Sequence, residues 1–538
     1  MAPTDGHGVR SATVEGLRSP ARPSVLERVP LQWWALVVVV VLVTGVAVWV
    51  TSPRFDLDIP SLEDDWSAIA LSSEQLSDLA RFENPEEKRF RPGWIAWNYV
   101  QWHTFDAPEG LVGPNIWNVV RLLVLVAGLS LFTMLALPRP RGAWETTLFP
   151  VLAGIPPFLV LMVPKFARDL TRFGTQEPLL VGGLALGGSL LVLAVRQLLD
   201  AARPISRWTT LALGVAGSGL WLVGAYQKES SVCVLPLVAA VVFAGRSRLA
   251  RWRRLSRARK LAVGAIGAAV LLPLVHVIVE TVRITARGDL VYEAEVDGGR
   301  GVLRGVEALW EWTHEVFSPD ARLVIWAAVG ATLLATVLRR RVDVVAVCAL
   351  ACGALTFAFA GQSGVVVSRY YMPVYALFAV ALVLSLARLP RVVQLASLAW
   401  IALAFVPAQG VQSEVHSWVE EERQDNLLVS SLADVVAAGC TAAMGGLDLE
   451  SASALPVLVA LESGREGRCE AGSTYLIVRP AGEGLGLIRA CSPRALEPIL
   501  EQVTGTLYRC GRLREGLVDD PVLGPMEAEA LVAMRRIP

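Results

Sequence analysis

Three consecutive carboxylates, Glu63, Asp64 and Asp65 in the segment SLEDDW, follow the first long apolar run of the chain. A carboxylate held near a membrane surface can act as a general base that takes the proton of a hydroxyl group, and a neighbouring acid can orient it. The same triplet is also typical of a solvated acidic turn or of a helix N-terminus, where the helix dipole favours negative charge. Taken alone, the triplet leaves both interpretations open.

Two short segments place cations next to acidic or aromatic residues at the ends of apolar runs. Lys228 and Glu229 stand between two such runs in YQKESSV, and Arg369 and Tyr370 open a later run in SRYYMP. Ammonium and guanidinium groups in these positions are suited to binding a phosphate group. The alternatives are that Lys228 and Glu229 pair with each other and cap a turn, and that Arg369 belongs to an interfacial belt.

Two further segments carry charge close to an apolar run. In KRFRPGWIAWNYVQWHTF, Arg91 precedes Pro92, and a helix that begins there would carry its aromatic residues largely on one face. Such an amphipathic helix lies in the membrane interface with its Trp residues at headgroup depth. Arg91 would then lie close to lipid or substrate phosphates. The segment TQEPLL places Glu177 at the entry to the fourth apolar run.

The elements that must position these residues are membrane helices. Of the 538 residues 54% are hydrophobic and only 18% are charged, whereas soluble domains usually have about a quarter of charged residues. A helix needs about 20 apolar residues to cross the hydrocarbon layer. Uncharged runs of about this length follow Arg28, Arg121, Glu145, Glu177, Arg207, Glu229, Lys260, Arg322, Asp343, Arg369 and Arg391. The sequence therefore predicts an all-α polytopic membrane protein with about eleven transmembrane helices.

The distribution of Arg and Lys predicts the orientation of these helices. Basic residues cluster before the first run and in every second loop after it, and eight of them lie between Arg246 and Lys260. The positive-inside rule places these loops in the cytoplasm. We therefore expect a multi-pass protein of a bacterial inner or plasma membrane, with its N-terminus in the cytoplasm and its C-terminus on the extracytoplasmic side.

This topology divides the chain into a cytoplasmic tail (1–30), a transmembrane domain (31–408) and an extracytoplasmic C-terminal domain (409–538). The transmembrane domain includes two long outer loops, 51–115 with the acidic triplet and the interfacial helix, and 281–321. The tail is long enough to form a small core of its own. Its mixture of helical and strand-like segments predicts an α+β domain.

Cysteine placement agrees with an exported tail. Four of the seven cysteines, Cys440, Cys469, Cys491 and Cys510, fall in the C-terminal domain. An even number of cysteines in an oxidising compartment predicts two disulfides, for which three pairings are possible. A zinc site is the weaker alternative, because neither a close Cys pair nor clustered His residues accompany these cysteines.

Several classes of function lack support in the sequence. The chain has 49 basic and 49 acidic residues, a balance that argues against a nucleic-acid partner. It contains no Walker loop, no Gly-rich dinucleotide turn, no Gly-x-Ser-x-Gly elbow and no His-Glu-x-x-His motif. ATP-driven transport and zinc proteolysis are therefore unsupported.

In their order along the chain, these segments resemble the integral-membrane glycosyltransferases of the C superfamily. That group includes the protein O-mannosyltransferases, the aminoarabinose transferases of lipid A and the mycobacterial arabinosyltransferases. The resemblance covers the transmembrane domain and does not extend to the tail. It rests on the acidic pair Asp64 and Asp65, FRPG with Arg91, TQEPLL with Glu177, KES with Lys228 and Glu229, and SRYYMP with Arg369 and Tyr370.

The resemblance implies a transferase that moves a sugar from a polyprenyl-phosphate donor to a hydroxyl group of a glycan, lipid or protein acceptor on the extracytoplasmic face. It implies that Asp64 is the base and Asp65 its partner, although Glu63 as a third acid departs from the family pattern and leaves the choice of base open. The other implied roles are contacts to the donor phosphate for Lys228, Arg369 and Arg91, and supporting roles for Glu177, Glu229 and Tyr370. No residue pattern indicates a divalent metal, although the resemblance is compatible with one.

Two other functions fit parts of the sequence. A secondary transporter would also carry charges between broken helices, but its charges would lie near the middle of the membrane and not at one face. A polysaccharide polymerase or ligase with a lipid-linked donor would be expected to concentrate its basic residues in late outer loops. It would not need the acidic pair.

Overall fold

A computed structural model of the protein describes residues 31–55, 83–84, 89–103, 112–140, 142–170, 175–199, 207–244, 252, 255–286, 317, 319–362, 368–405, 408–437, 441–444, 474–478, 496–502 and 505–510. Its helices are α1 (Leu31–Phe55), α2 (Pro92–His103), α3 (Val112–Ala136), α4 (Ala143–Leu161), α5 (Pro164–Leu170), α6 (Glu177–Leu199), α7 (Arg207–Ala225), α8 (Leu235–Ala244), α9 (Arg257–Ala286), α10 (Pro319–Arg339), α11 (Val344–Gln362), α12 (Met372–Leu386), α13 (Arg391–Phe405) and α14 (Ala408–Ala437). Two 3₁₀ helices span Glu229–Val234 and Ser368–Tyr371. The strands are β1 (Glu83–Asn84), β2 (Arg89–Phe90), β3 (Thr441–Met444), β4 (Thr474–Val478), β5 (Leu496–Gln502) and β6 (Gly505–Cys510).

The described helices identify a multi-pass membrane protein. Eight of them are long and apolar enough to cross a membrane, and three shorter apolar helices span Glu229–Ala244, Val344–Ala360 and Arg391–Leu403. These helices coincide with the uncharged runs of the sequence, because a backbone in hydrocarbon must satisfy its hydrogen bonds within each helix. How many of the shorter helices cross completely stays a prediction, as does the orientation of the termini.

Glycine residues allow α3, α6 and α7 to pack closely. A Cβ atom on Gly182 of α6 would lie 2.7 Å from the backbone of Leu125 in α3. On the neighbouring face of α6, a Cβ atom on Gly183 would lie 3.0 Å from the backbone of Gly224 in α7. Small residues bring membrane helices together in this way, because association in lipid depends on close van der Waals packing. The end of α6 that carries Glu177 and the end of α7 that leads into Lys228 are thereby held side by side.

Helix α12 lies in the centre of the bundle. Nearly all of its residues are buried, and it packs against α4, α10 and α11. At its beginning, Tyr371 and Tyr375 contact the ring of Phe317 with centroid distances of 6.1 and 5.7 Å. This aromatic cluster fixes the 3₁₀ helix before α12, which carries Arg369 and Tyr370.

The described part of the tail combines the long helix α14 with a four-stranded sheet of strand order β3-β4-β6-β5. Strands β3 and β4 are parallel, and the other neighbours are antiparallel. The beginning of α14 packs on the membrane bundle, where the Gln412 amide donates to the Trp49 carbonyl at 3.2 Å. Helix α14 also contacts all four strands. Cys510 at the end of β6 is disulfide-bonded, and the other three tail cysteines lie outside the described residues, so the number and pairing of the disulfides stay predictions.

Candidate active site

Arg91 enters the protein interior at the junction of β2 and α2. Strand β2 pairs with β1 in a short antiparallel ladder, and the Gly93 amide donates to the Tyr226 carbonyl at 2.9 Å. A Cβ atom on Gly93 would lie 2.8 Å from the Tyr226 carbonyl carbon, so this close approach requires glycine. The Arg91 side chain is only 2% exposed. Its Nε atom lies 3.3 Å from the Glu229 Oε1 atom.

Lys228 forms the second buried ion pair. Its Nζ atom lies 2.8 Å from the Glu177 Oε1 atom, and the two side chains are 9% and 1% exposed. Glu177 is the first residue of α6, where the helix dipole favours a negative charge. The main-chain amide of Gln176 donates to the second Glu177 carboxylate oxygen at 3.2 Å. The carboxylate is therefore oriented by its own helix end before it meets Lys228.

Tyr370 connects these ion pairs to Arg369. The Lys228 Nζ atom lies 3.1 Å from the centroid of the Tyr370 ring, and the Arg369 Cζ atom lies 5.5 Å from the same centroid. Both distances are within the range of cation–π attraction, which contributes roughly 0.5 to 2 kcal/mol depending on solvent exposure. Two of the three cations predicted to bind phosphate, Lys228 and Arg369, thus share one aromatic neighbour.

Gln176 joins the two ion pairs. In the amide orientation that satisfies both of its ends, its oxygen accepts a hydrogen bond from the Arg91 Nη1 atom at 3.0 Å. Its nitrogen donates to the Gln227 carbonyl at 2.9 Å. One residue before it, Thr175 accepts two hydrogen bonds from the buried Arg121 guanidinium, at 3.0 Å on its carbonyl and 3.2 Å on its hydroxyl. Arg121 therefore anchors the segment that leads into α6.

Six predicted site residues consequently lie in one charged cluster, which we define as Arg91, Glu177, Lys228, Glu229, Arg369 and Tyr370. Its members come from four places along the chain, and they stand at the ends of α6, α7 and α12 and at the beginning of α2. Three of the side chains are cationic and two are anionic, which leaves a formal charge of +1. Buried cations of this kind can bind an anionic group with short charge-assisted hydrogen bonds. A phosphate group fits this requirement.

The adjacent residues Lys228 and Glu229 do not form an ion pair with each other, which was one alternative that the sequence left open. Lys228 and Glu229 each bind a residue far away in the sequence, Glu177 and Arg91. The physical reason is the extended backbone at Lys228, with φ −158° and ψ 149°. Successive side chains on extended backbone point in opposite directions.

Neutral polar groups next to the charged cluster were not recognised in the sequence. Within the part of the chain that the structure describes, the side-chain amides of Gln227 and Asn98 and the Ser231 hydroxyl are buried and have no hydrogen-bond partner. A buried polar group without a partner costs about 1 to 3 kcal/mol. In the sequence, Gln227 and Ser231 flank the KES segment, and Asn98 lies one helical turn after Trp94 in the helix that follows FRPG. Their closeness to these charged motifs was the signal that could have identified them as site residues.

The helix predicted after Pro92 is present as α2, but its buried face is more polar than its aromatic pattern suggested. Trp94 is buried together with Asn98 and Gln101. Trp97 packs its ring edge-on against Trp117 of α3, with the centroids 5.0 Å apart. Helix α2 therefore packs on the bundle through aromatic rings and also presents amides to the protein interior.

The structure does not test the predicted base. Asp64, Asp65 and Glu63 lie outside the described residues, so their roles stay predictions. Between α1 and α14, the residues that the structure describes include no group of three or more His, Cys, Asp or Glu side chains that could hold a metal ion. A metal requirement of the reaction is not tested by this observation.

One solved structure similar to this chain is the crystal structure of the Archaeoglobus fulgidus oligosaccharyltransferase in complex with zinc and sulfate. The two chains are 14% identical, with a TM-score of 0.44. The similarity covers 80% of this chain and 59% of that chain, so the present chain spans less than two thirds of the length of the archaeal protein. A TM-score below 0.5 does not establish a common fold. No protein-family model and no curated protein sequence matches the chain.

Proposed function

We propose that the protein is a glycosyltransferase that moves a sugar from a polyprenyl-phosphate donor to a hydroxyl acceptor on the extracytoplasmic face of the membrane. The observation that carries the proposal is the convergence of FRPG, TQEPLL, KES and SRYYMP on the charged cluster. These segments lie up to 278 positions apart, from Arg91 to Arg369. Their meeting at the ends of several membrane helices is expected of a site that binds an anionic, membrane-bound substrate.

The charged cluster would act on the leaving group. In the proposed reaction the acceptor hydroxyl oxygen attacks the anomeric carbon, and the bond between that carbon and the phosphate oxygen breaks. Lys228 and Arg369 stabilise the negative charge that develops on the lipid phosphate, and Arg91 supports them. The phosphate stays on the lipid, so the second product is polyprenyl phosphate.

The acceptor proton requires a base, and the proposal assigns it to Asp64 with Asp65 as its partner. This assignment rests on the family resemblance of the acidic pair. A carboxylate positioned on the hydroxyl would take the proton as the new glycosidic bond forms, which typically contributes about 100- to 10,000-fold to the rate. Glu177 and Glu229 are committed to ion pairs with Lys228 and Arg91. They are therefore poorly placed to serve as the base.

The test is a transfer assay with the purified full-length chain in nanodiscs. The donors are radiolabelled polyprenyl-phosphate hexoses and pentoses, and extracted envelope glycans, lipids and proteins serve as acceptors. The expected result is label in an acceptor together with equimolar polyprenyl phosphate. Proteoliposomes with the same donors provide the comparison for transport. Movement of label across the bilayer without glycosidic transfer, or no reaction of any donor, would overturn the proposal.

A further inference from the structure

An apolar groove lies at the opposite end of α12 from the charged cluster. Helix α12 has 15 residues and is therefore about 22 Å long at the helical rise of about 1.5 Å per residue. The last turns of α12 form the floor of the groove, and α10 and α13 form its two walls. Leu386 of the floor is buried, whereas Leu334 of the α10 wall is 43% exposed. The groove is therefore open on the side that faces the membrane.

The groove forms because α10 and α13 are attached to α12 in different ways. Helix α10 packs along α12, whereas α13 contacts α12 less. At the turn that joins α12 to α13, the Gln394 amide donates to the Leu386 carbonyl at 3.2 Å. Beyond this turn, three small lining residues, Ala327 and Ala331 of α10 and Ser397 of α13, leave the space between the two walls open.

The dimensions of the groove fit one hydrocarbon chain. Its volume is about 190 Å³, which is below the range of about 300 to 1,000 Å³ that is typical of pockets for whole small molecules. Its lining residues on α13 run from Val393 to Ile401, which is about 12 Å at the helical rise. One leaflet provides about 15 Å of hydrocarbon. The groove can therefore hold part of a lipid chain from a single leaflet, while the rest of the molecule stays outside.

The end of the groove at the turn between α12 and α13 is basic. Arg339 is the last residue of α10, and its Nε atom donates to the Arg388 carbonyl at 2.8 Å. Because the next residue, Leu389, lines the groove, the Arg339 guanidinium crosses this end from one wall to the turn. Its Nη groups have no partner among the residues that the structure describes. On the other wall, the exposed Arg391 begins α13. Arg388 itself pairs with Asp343 at 2.5 Å.

Local helix structure does not explain these arginines. Arg340, directly after α10, has a φ of 48° and is the one non-glycine residue with a positive φ in the described part of the chain. Glycine or asparagine usually occupies such a position. Arg391 stands at the N-terminus of α13, where the helix dipole favours an anion. The positive-inside rule accounts for basic residues at this end of the helices, but it does not account for their arrangement around a groove. An anionic group at this end would interact favourably with both arginines.

We infer that this groove binds an anionic phospholipid of the leaflet opposite the charged cluster. One acyl chain lies between α10 and α13, and the phosphate is held by Arg339 and Arg391. Guanidinium groups bind phosphate oxygens with paired, charge-assisted hydrogen bonds, and basic pockets between membrane helices bind anionic head groups. The bound lipid fills the space beside α12 and stabilises the position of α13. The inference is independent of the proposed function, because the two sites lie at opposite ends of α12.

The test is photocrosslinking of the full-length chain in detergent micelles with a phosphatidylglycerol that carries a photoreactive acyl chain. Labelled peptides of α10 and α13 are quantified by mass spectrometry, and titration with unlabelled phosphatidylglycerol gives Kd. Arg391→Gln should raise Kd about fivefold, the equivalent of about 1 kcal/mol for one cation at a membrane surface, and Arg339→Gln/Arg391→Gln about 25-fold. The matched control is Arg257→Gln, which removes an exposed cation at the beginning of α9, a helix that packs on α6 and α7. It should change Kd less than about twofold.

A second pair of variants tests the position of the acyl chain. Ser397→Phe places a ring in the groove and should abolish labelling of α10, whereas Ala396→Phe places the same ring on the exposed side of α13 and should leave the labelling unchanged. Phosphatidylglycerol, and neither phosphatidylcholine nor inorganic phosphate, should compete and should raise the unfolding temperature of the wild type. Equal competition by phosphatidylcholine or by inorganic phosphate overturns the inference. An unchanged Kd in the double arginine variant also overturns it, since the arginines would then serve only the orientation of the helices.

Discussion

Lys228 pairs with Glu177 and is also the proposed ligand of the donor phosphate. Variants can separate these two roles. At an effective dielectric constant of about 20, unit charges attract each other by about 6 kcal/mol at the 2.8 Å between these side chains. The cost of removing both charges from water offsets most of this attraction. The net contribution of the pair to stability is therefore small. The loss of one partner alone is costly, typically about 3 to 5 kcal/mol, because the other charge stays buried.

These magnitudes predict a pattern across three variants. Lys228→Met should be strongly destabilised, because Glu177 keeps an unpaired charge at the N-terminus of α6. Glu177→Gln should also be destabilised, since Lys228 then keeps only the Tyr370 ring. The double variant Lys228→Met/Glu177→Gln should recover most of the stability, because no buried charge is left. Thermal unfolding in detergent, followed by Trp fluorescence, measures this recovery.

Activity should not follow stability in this series. The double variant has lost a charge-assisted hydrogen bond to the phosphate, which is worth about 1.5 to 3 kcal/mol. Its kcat/KM for the sugar donor should therefore fall about 10- to 150-fold although it is folded. The matched control is the pair of Arg388 and Asp343, which lies at the predicted cytoplasmic ends of α12 and α11. Arg388→Met/Asp343→Asn removes an ion pair without changing donor use.

The reasoning would be refuted by a double variant of Lys228 and Glu177 that is stable and fully active. Lys228 would then only position α6 against the 3₁₀ helix at Glu229–Val234. A double variant as unstable as the single ones would show that the pair itself makes a large net contribution to stability. In that case the desolvation argument would be wrong for this site.

Three further predictions concern the base, the helix packing and the tail. Asp64→Asn should lower turnover about 100- to 10,000-fold at normal expression and Asp65→Asn less, and near-normal transfer by both variants would exclude the acidic pair as base. Gly224→Ala should lower the unfolding temperature, because its Cβ atom would lie 2.6 Å from the Leu184 amide nitrogen, while Gly219→Ala on the same helix meets nothing within 4 Å and should leave it unchanged. Cys510→Ser should destabilise the sheet by about 2 to 5 kcal/mol, measured as faster limited proteolysis of the tail, and unchanged proteolysis would contradict this.

The membrane character of the chain could be predicted from the sequence alone. Hydrophobic runs in lipid leave the backbone no alternative to a helix, and the described helices coincide with those runs. The residues of the charged cluster could also be selected in advance. A charge at the end of an apolar run is costly to bury, so such a charge indicates a functional site. This argument selected Arg91, Glu177, Lys228 and Arg369.

The partners of these charges could not be predicted from the sequence. The neighbours Lys228 and Glu229 bind Glu177 and Arg91, because their side chains leave an extended backbone in opposite directions. The polar contribution of Arg121, Asn98 and Gln227 was not predicted either. An isolated polar residue beside an apolar run has no periodic signal, and for Asn98 and Gln227 the available signal was their proximity to the charged motifs.

The sequence by itself determined which segments enter the membrane and which residues carry charge at their ends. Both follow from local composition, because the length and polarity of a segment decide its transfer into lipid. Only the tertiary structure decided that four distant motifs meet in one cluster and that the Tyr226 hydroxyl meets the His276 Nδ1 atom. These relations depend on how α6, α7, α9 and α12 pack against each other. Such packing depends on close contacts between residues far apart in the chain, as at Gly93 and Tyr226, and local sequence patterns do not encode which residues will meet.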